Sequence, residues 1–375
     1  MKREDIQGLR TVAVLAVILF HIWPQRFPSG YLGVDVFFVI SGHLIAKCLN
    51  NVANEGHVGA KILEFYRRRI QRIVPIYLFV CLLTASITRL IMTESDFKLI
   101  RSNIYWSFGF LMNIRLMLNK GSDYFVMLYH YLPLLHTWSL GVEMQFYFMA
   151  PALLLIINYL QNIPFNTLNK KYLKKYIFCI FLLFSSFIFQ QIIYLKYGVT
   201  KSYGFVFCRL WQFMAGIISY SLREYNNYFD EEKIGFIVNG IADNKLNKSK
   251  NPIISKNTKM TTKNNLHNIK YFINFIFKYT TTNIILITLI ILLFCRKSSE
   301  SLLILPQPFA NLIVVGLTFI MLVAKQPFYT THFILTNSLS VWFGDISYVW
   351  YLVHWPTVVF VKYLVLVDYF SFRCE

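Results

Sequence analysis

The amino-acid sequence predicts an all-α protein, a polytopic transmembrane helical bundle of nine to ten spans in which one segment can be re-entrant. Three observations carry that expectation. Hydrophobic residues fill 56% of the 375 positions, with 35 Phe and 24 Tyr, a composition typical of membrane proteins. Apolar windows recur along the chain, most of them long enough to cross a hydrocarbon core of about 30 Å, which takes about 20 helical residues. The formal net charge of +19 comes from basic residues gathered between those windows. There it sets membrane orientation and does not mark a nucleic-acid partner.

The first window, "GLRTVAVLAVILFHIW" at 8–23, follows "MKRED" directly and has no small-residue cleavage site. It reads as a retained helix, not a removed signal peptide. A charged or titratable side chain within a span costs a few kcal/mol on insertion scales, so Arg10 and His21 need a reason. Eleven residues advance about three turns, which places both on one face and roughly 16 Å apart along the axis. Two readings stay open: a functional pair, or an arginine that snorkels to the headgroups and a histidine that bonds a neighbouring helix.

The second window, 31–49, overlaps "GYLGVDVFFVISG" at 30–42, where Asp35 lies among glycines that allow close backbone approach. A catalytic carboxylate and one paired with an arginine for structure are both compatible with it. Next, "EFYRRRIQRIVP" precedes the window at 73–92. Arg69 and Arg72 are three residues apart and share a helix face. Two guanidiniums so placed suit a phosphorylated ligand, and a basic loop is also an orientation signal.

The segment 104–118, "IYWSFGFLMNIRLML", is short and carries Asn113 and Arg115. As a full span it would put the lysines at 170–175 and the Lys-rich 226–268 segment outside, against the positive-inside rule. A re-entrant path keeps both in the cytoplasm. In "PLLHTWSLGVEMQFYF", a helix starting near Pro133 would bring His136 and Glu143 onto one face about 10 Å apart. Such a pair suits proton transfer or bracing of the bundle.

Windows at 148–160 and 176–195 follow. The stretch 226–268 is then rich in Asn and Lys without a helical stripe, a flexible polar loop that interrupts the domain. Two rear windows, 271–295 and 309–324, lead to "GDISYVWYLVHWP", where Tyr348, Tyr351 and His354 are spaced by three along one face. An interfacial aromatic belt would also produce that pattern. The six cysteines, Cys48, Cys81, Cys179, Cys208, Cys295 and Cys374, show no metal-ligand spacing and read as small hydrophobes. No internal repeat of the transporter kind is visible.

Residues 5–45, from "DIQGLRTVAV" to "VISGHLI", resemble the opening of the acyltransferase-3 membrane proteins. That family includes bacterial O-antigen and peptidoglycan O-acetyltransferases and many nematode paralogues. The resemblance continues in family order through "FYRRRIQRIVPIY", "YLPLLHTWSLGVEMQFYFMAPALL", "CRLWQFMAGI" and "FGDISYVWYLVHWPTVVF". It covers the chain, 1–375, except the polar loop.

The resemblance implies transfer of an acyl group, usually acetyl from acetyl-CoA, to a hydroxyl of a carbohydrate or lipid-linked acceptor. It carries the family's essential residues onto Arg10, His21, Arg69 and Arg72. The expected assignment is therefore His21, Glu143 and Asp35 as catalytic and Arg10, Arg69 and Arg72 as donor-binding. His136, Tyr348, Tyr351 and His354 are expected at the acceptor or in support, with no metal. Acyl-CoA is expected as a co-substrate and no cofactor as resident; the partners are the donor, the carbohydrate or lipid acceptor and membrane lipids.

The chain departs from the family pattern at Met144, Gly141 and Gln212, where Glu, Ser and often Glu are usual. Many relatives add a soluble SGNH esterase-like domain, whose Gly-Asp-Ser motif does not occur here. Either the membrane domain acts alone or this is a shortened or inactive paralogue. The rival reading is a proton-coupled transporter or flippase, with His21, Asp35 and Glu143 as relay and the arginines holding an anion.

Overall fold

A computed structural model describes residues 3–50, 58–118, 132–162, 168–225, 282–294, 307–324 and 333–371. The described residues form helices and no strand. In chain order these are α1 (Glu4–Ile22), α2 (Gly33–Asn50), α3 (Val58–Ile91), α4 (Glu94–Phe108), α5 (Met112–Leu118) and α6 (Trp138–Asn162). They continue with α7 (Leu168–Tyr197), α8 (Val199–Gly204), α9 (206–225) and α10 (Thr282–Phe294). The chain ends in α11 (Gln307–Val323), α12 (Ser338–Asp345) and α13 (Ser347–Ser371).

Among the described residues, five helical stretches are long and apolar enough to cross a membrane: Glu4–Ile22, Gly30–Leu49, Val58–Ile91, Leu135–Leu160 and Lys174–Tyr197. Thr282–Phe294 and Pro308–Val323 are apolar but shorter. Nine or ten spans were expected from the apolar windows. The polar segment 226–268 and its Asn247 lie outside the described residues. A soluble protein rarely exposes contiguous apolar surface. Here α7 presents Ile177, Phe181, Phe184, Ile188 and Leu195 outward, the composition of a lipid-facing side.

The bundle is organised around α1, which packs on α2, α12 and α13. Its acidic first turn, Glu4 and Asp5, complements the helix dipole. Polar side chains then tie helices together where water is scarce. Thr11 Oγ1 donates to Ser340 O at 2.6 Å, joining α1 to α12. Tyr77 OH donates to Ser107 O at 2.6 Å, joining α3 to α4. One apolar core unites α2, α3, α4, α5, α6, α9 and α13; a second joins α1 and α2 to α10 and α11.

The segment expected to be a re-entrant or partial span is broken, and one expected helix begins late. The segment 104–118 is not one helix: α4 stops at Phe108, and Phe110 adopts φ 57° before α5 begins at Met112. The residues at that break meet α6, because a Cβ at Gly141 would lie 2.7 Å from Phe110 O and 2.5 Å from Asn113 Oδ1. That crowding accounts for glycine at 141. The helix expected from Pro133 begins only at Trp138, after a 3-10 turn over Leu135–Thr137. His136 is in that turn, so the one-face geometry expected for His136 and Glu143 does not form.

Candidate active site

A cavity with about 800 Å³ of empty space, open solvent included, lies between α1, α2, α3, α6 and α13. Helical periodicity brings its polar lining together. Arg10 comes from α1 and Ser41 from α2. Arg69 and Arg72 come from one face of α3, Ser139, Glu143 and Tyr147 from successive turns of α6, and Tyr348 and Tyr351 from α13.

Ser41 Oγ and Tyr147 OH both donate to Glu143 Oε1. The carboxylate is thus fixed through one oxygen. Arg69 lies 5.2 Å from the Tyr147 ring centroid and 5.8 Å from that of Phe65, held by cation–π contact. Its Nη2 is 3.9 Å from Cys48 Sγ. Tyr348 OH donates to Ile73 O at 3.0 Å. Arg10 lies within electrostatic reach of Arg69, Arg72, Glu143 and Tyr147. Three guanidiniums and one carboxylate leave the cavity positive.

A second opening shares Arg10, Leu44 and Arg72 with this cavity and adds Arg3, Ile6, Gln7, Lys47 and Asp345. Arg10 and Arg72 thus border both openings. Cations line the shared edge, and apolar side chains such as Val34, Phe37 and Phe38 line the first cavity.

His21 is not part of that lining. It lies eleven residues along α1, roughly 16 Å from Arg10 along the axis, in a buried cluster with His136 and His354. His354 Nε2 is 3.2 Å from His21 Nδ1, and its Nδ1 is 2.7 Å from Tyr351 O. His21 Nδ1 is also 2.9 Å from Val17 O, and His136 Nε2 is 3.0 Å from Leu352 O. His21 Nε2 and His136 Nδ1 are buried without a hydrogen-bond partner.

Tyr351 belongs to both regions. It lines the cavity, its hydroxyl lies 2.5 Å from Ser139 Oγ and donates to His136 O at 3.1 Å. Its ring packs 5.6 Å from that of His136 and 5.5 Å from that of His354. Among the described residues, no group of three or more His, Cys, Asp or Glu side chains could hold a metal ion.

Asp35 occupies a third place. Arg209 Nη1 lies 3.0 Å from its Oδ1, with side-chain exposures of 0% and 3%, and Gln212 Nε2 donates to the same oxygen at 2.8 Å. Arg209 in turn stacks 3.9 Å from the Tyr203 ring centroid and 5.8 Å from that of Trp138. Asp35 shares no hydrogen bond with Glu143 or His21 and does not line the cavity. The three acidic and imidazole groups of the relay reading thus sit in three separate groupings.

Sequence reasoning brought Arg10, Arg69, Arg72, Glu143, Tyr348 and Tyr351 to notice, and the fold gathers all six at one cavity. It passed over Ser41, Ser139, Tyr147 and Arg209. Tyr147 was findable, four residues after Glu143 on the same face. Arg209 stood inside the "CRLWQFMAGI" stretch without a role, and its partner Asp35 is 174 positions away.

A positively charged cavity thus lies beside a buried histidine cluster, among helices long and apolar enough to cross a membrane. The sequence profile of a family described as "Acyltransferase domain" matches residues 3–372, and the chain belongs to that family. It is similar to the O-acetyltransferase OatA of Staphylococcus aureus strain NCTC 8325, at 36% identity over 151 residues. The match takes in 40% of this chain and 24% of that protein. The OatA of strain COL matches to the same extent. The chain thus matches about a quarter of the length of these curated relatives. No solved structure matches.

Proposed function

We propose that the protein is a multi-pass membrane O-acyltransferase that moves an acyl group, acetyl by preference, from acyl-CoA to a hydroxyl of a carbohydrate or lipid-linked acceptor. The observation that carries this reading is one cavity lined by three arginines and linked by Tyr351 to a buried histidine cluster. Family membership and the similarity to proteins named O-acetyltransferase support it.

In this reading Arg10, Arg69 and Arg72 hold the phosphates of the donor through charge-assisted bonds. The apolar interior takes the arm that ends in the thioester. Glu143, fixed by Ser41 and Tyr147, keeps the arginines spread and oriented. Tyr348 and Tyr351 line the cavity, and Tyr351 connects it to His136 and His354 beside His21.

His21 Nε2 then accepts the proton of the acceptor hydroxyl as its oxygen bonds to the acyl carbon. The carbon–sulfur bond breaks, and the thiolate of CoA recovers the proton from His21. Asp35 takes a structural part, holding α2 to α9 through Arg209.

Purified protein tests the reading with acetyl-CoA. Binding that requires the arginines, together with release of the CoA thiol in membranes, is the expected result. Transport of an anion without thioester cleavage would replace this reading with the transporter. Mass spectrometry of glycans and lipids from cells with and without the protein identifies the acceptor.

A further inference from the structure

The histidine cluster has a defined direction of hydrogen bonding. His354 Nδ1 lies 2.7 Å from Tyr351 O and 3.2 Å from Trp350 O, two carbonyl oxygens that can only accept. That nitrogen must therefore carry a proton. In the neutral ring the opposite nitrogen, Nε2, is then an acceptor, and it lies 3.2 Å from His21 Nδ1. His21 Nδ1 also faces Val17 O at 2.9 Å, another acceptor.

Two acceptors on one side of His21 place its proton on Nδ1. Its Nε2 is left as a bare lone pair, buried and without a hydrogen-bond partner. His136 repeats the pattern: its Nε2 points at Leu352 O, and its Nδ1 has no partner. A cation, Lys362, lies nearby, with its Nζ 3.5 Å from His21 O. Around the ring are Phe20 and Trp355, with centroids 5.1 Å and 4.7 Å away.

We propose that His354 is a positioning residue. It accepts the Nδ1 proton of His21, orients that ring, and holds Nε2 of His21 as the nitrogen free to take a proton from the acceptor hydroxyl. The proposal rests on the reading of His21 as base. Val17 O alone could set the tautomer, but it also serves the α1 hydrogen-bond ladder. His354 supplies the acceptor that is committed to His21, and it disperses the charge when His21 becomes an imidazolium.

Amide substitutions separate the two nitrogens of His354. His354→Gln keeps an acceptor near the place of Nε2, and His354→Asn keeps a polar group near Nδ1. The measurement is CoA thiol release from acetyl-CoA in membranes, with kcat and KM resolved. His354→Gln should stay within about fivefold of the parent, whereas His354→Asn and His354→Ala should lose about 10- to 100-fold in kcat at unchanged KM, as for other partners that orient an imidazole. Asn equal to or better than Gln would overturn the proposal.

A second measurement needs no variant at His354. In the full chain labelled with 15N-histidine, the His21 signals, identified by their loss in His21→Ala, should show Nδ1 protonated and Nε2 bare. The opposite tautomer also overturns the proposal. Turnover that survives in His21→Ala would instead overturn the reading of His21 as base, so the two failures are distinguishable.

Discussion

His21→Ala removes the imidazole and leaves the arginines of the cavity untouched. General bases contribute about 10² to 10⁴ in rate, and His21, the proposed base, lies roughly 16 Å along α1 from Arg10. Acyl transfer should therefore disappear while acetyl-CoA affinity stays within a few fold. Substantial turnover by the variant with bound donor contradicts the assignment. The double variant Arg69→Ala with Arg72→Ala should do the reverse and raise the donor concentration needed for half-maximal rate steeply. Lysines at both positions should rescue only partly, because an ammonium lacks the planar fork of a guanidinium. Unchanged donor affinity in both double variants would reduce these arginines to orientation signals.

Packing between helices rests on a few close approaches. Where α2 crosses α9, a Cβ at Gly42 would lie 2.1 Å from Phe213 O, and one at Gly216 would lie 2.1 Å from Val39 O. Neither backbone has room to give. Gly216→Val should cost about 1–3 kcal/mol through overpacking and lower the thermal midpoint in detergent. Gly59→Ala, with open space around it, should be neutral or slightly stabilising. Equal behaviour of the two variants would refute the crossing.

The Asp35–Arg209 pair joins the same two helices. Removing one partner of a buried pair costs about 3–5 kcal/mol, because the other charge stays buried and uncompensated. Asp35→Ala should accordingly deplete folded protein, and Asp35→Leu combined with Arg209→Met should restore much of it. A well-folded Asp35→Asn protein without turnover would argue for the catalytic role expected from sequence instead of the structural one.

At the scale of the whole molecule, orientation in the membrane decides which side supplies the donor. The positive-inside rule puts Arg67, Arg68, Arg69 and Arg72 at the cytoplasmic side, where the proposed donor, acyl-CoA, would meet the cavity. The same rule places the Lys-rich 226–268 segment there too. That segment contains "NKS" at 247–249, a glycosylation acceptor modified only in the secretory lumen. Expression in eukaryotic cells should give no glycosidase-sensitive mobility shift that depends on Asn247. A shift abolished in Asn247→Gln would place the segment in the lumen and reverse the assignment of sides beyond α4.

The helical membrane class was determined by the sequence alone, since hydropathy and length act locally and need no partner. So were the arginine pair of α3, the spacing of Tyr348 and Tyr351, and the family resemblance. All of these are short-range patterns on one helix. The tertiary structure decided which of them meet. Arg10 joins Arg69, Arg72 and Glu143 because α1, α3 and α6 surround one cavity. His21 joins His354, 333 positions away, and Asp35 joins Arg209. Periodicity carries no information on such pairs, because the face a residue occupies does not say which helix will cover it. His136 shows the same limit at short range: a 3-10 turn before Trp138 turned it from Glu143 towards Tyr351 and His354.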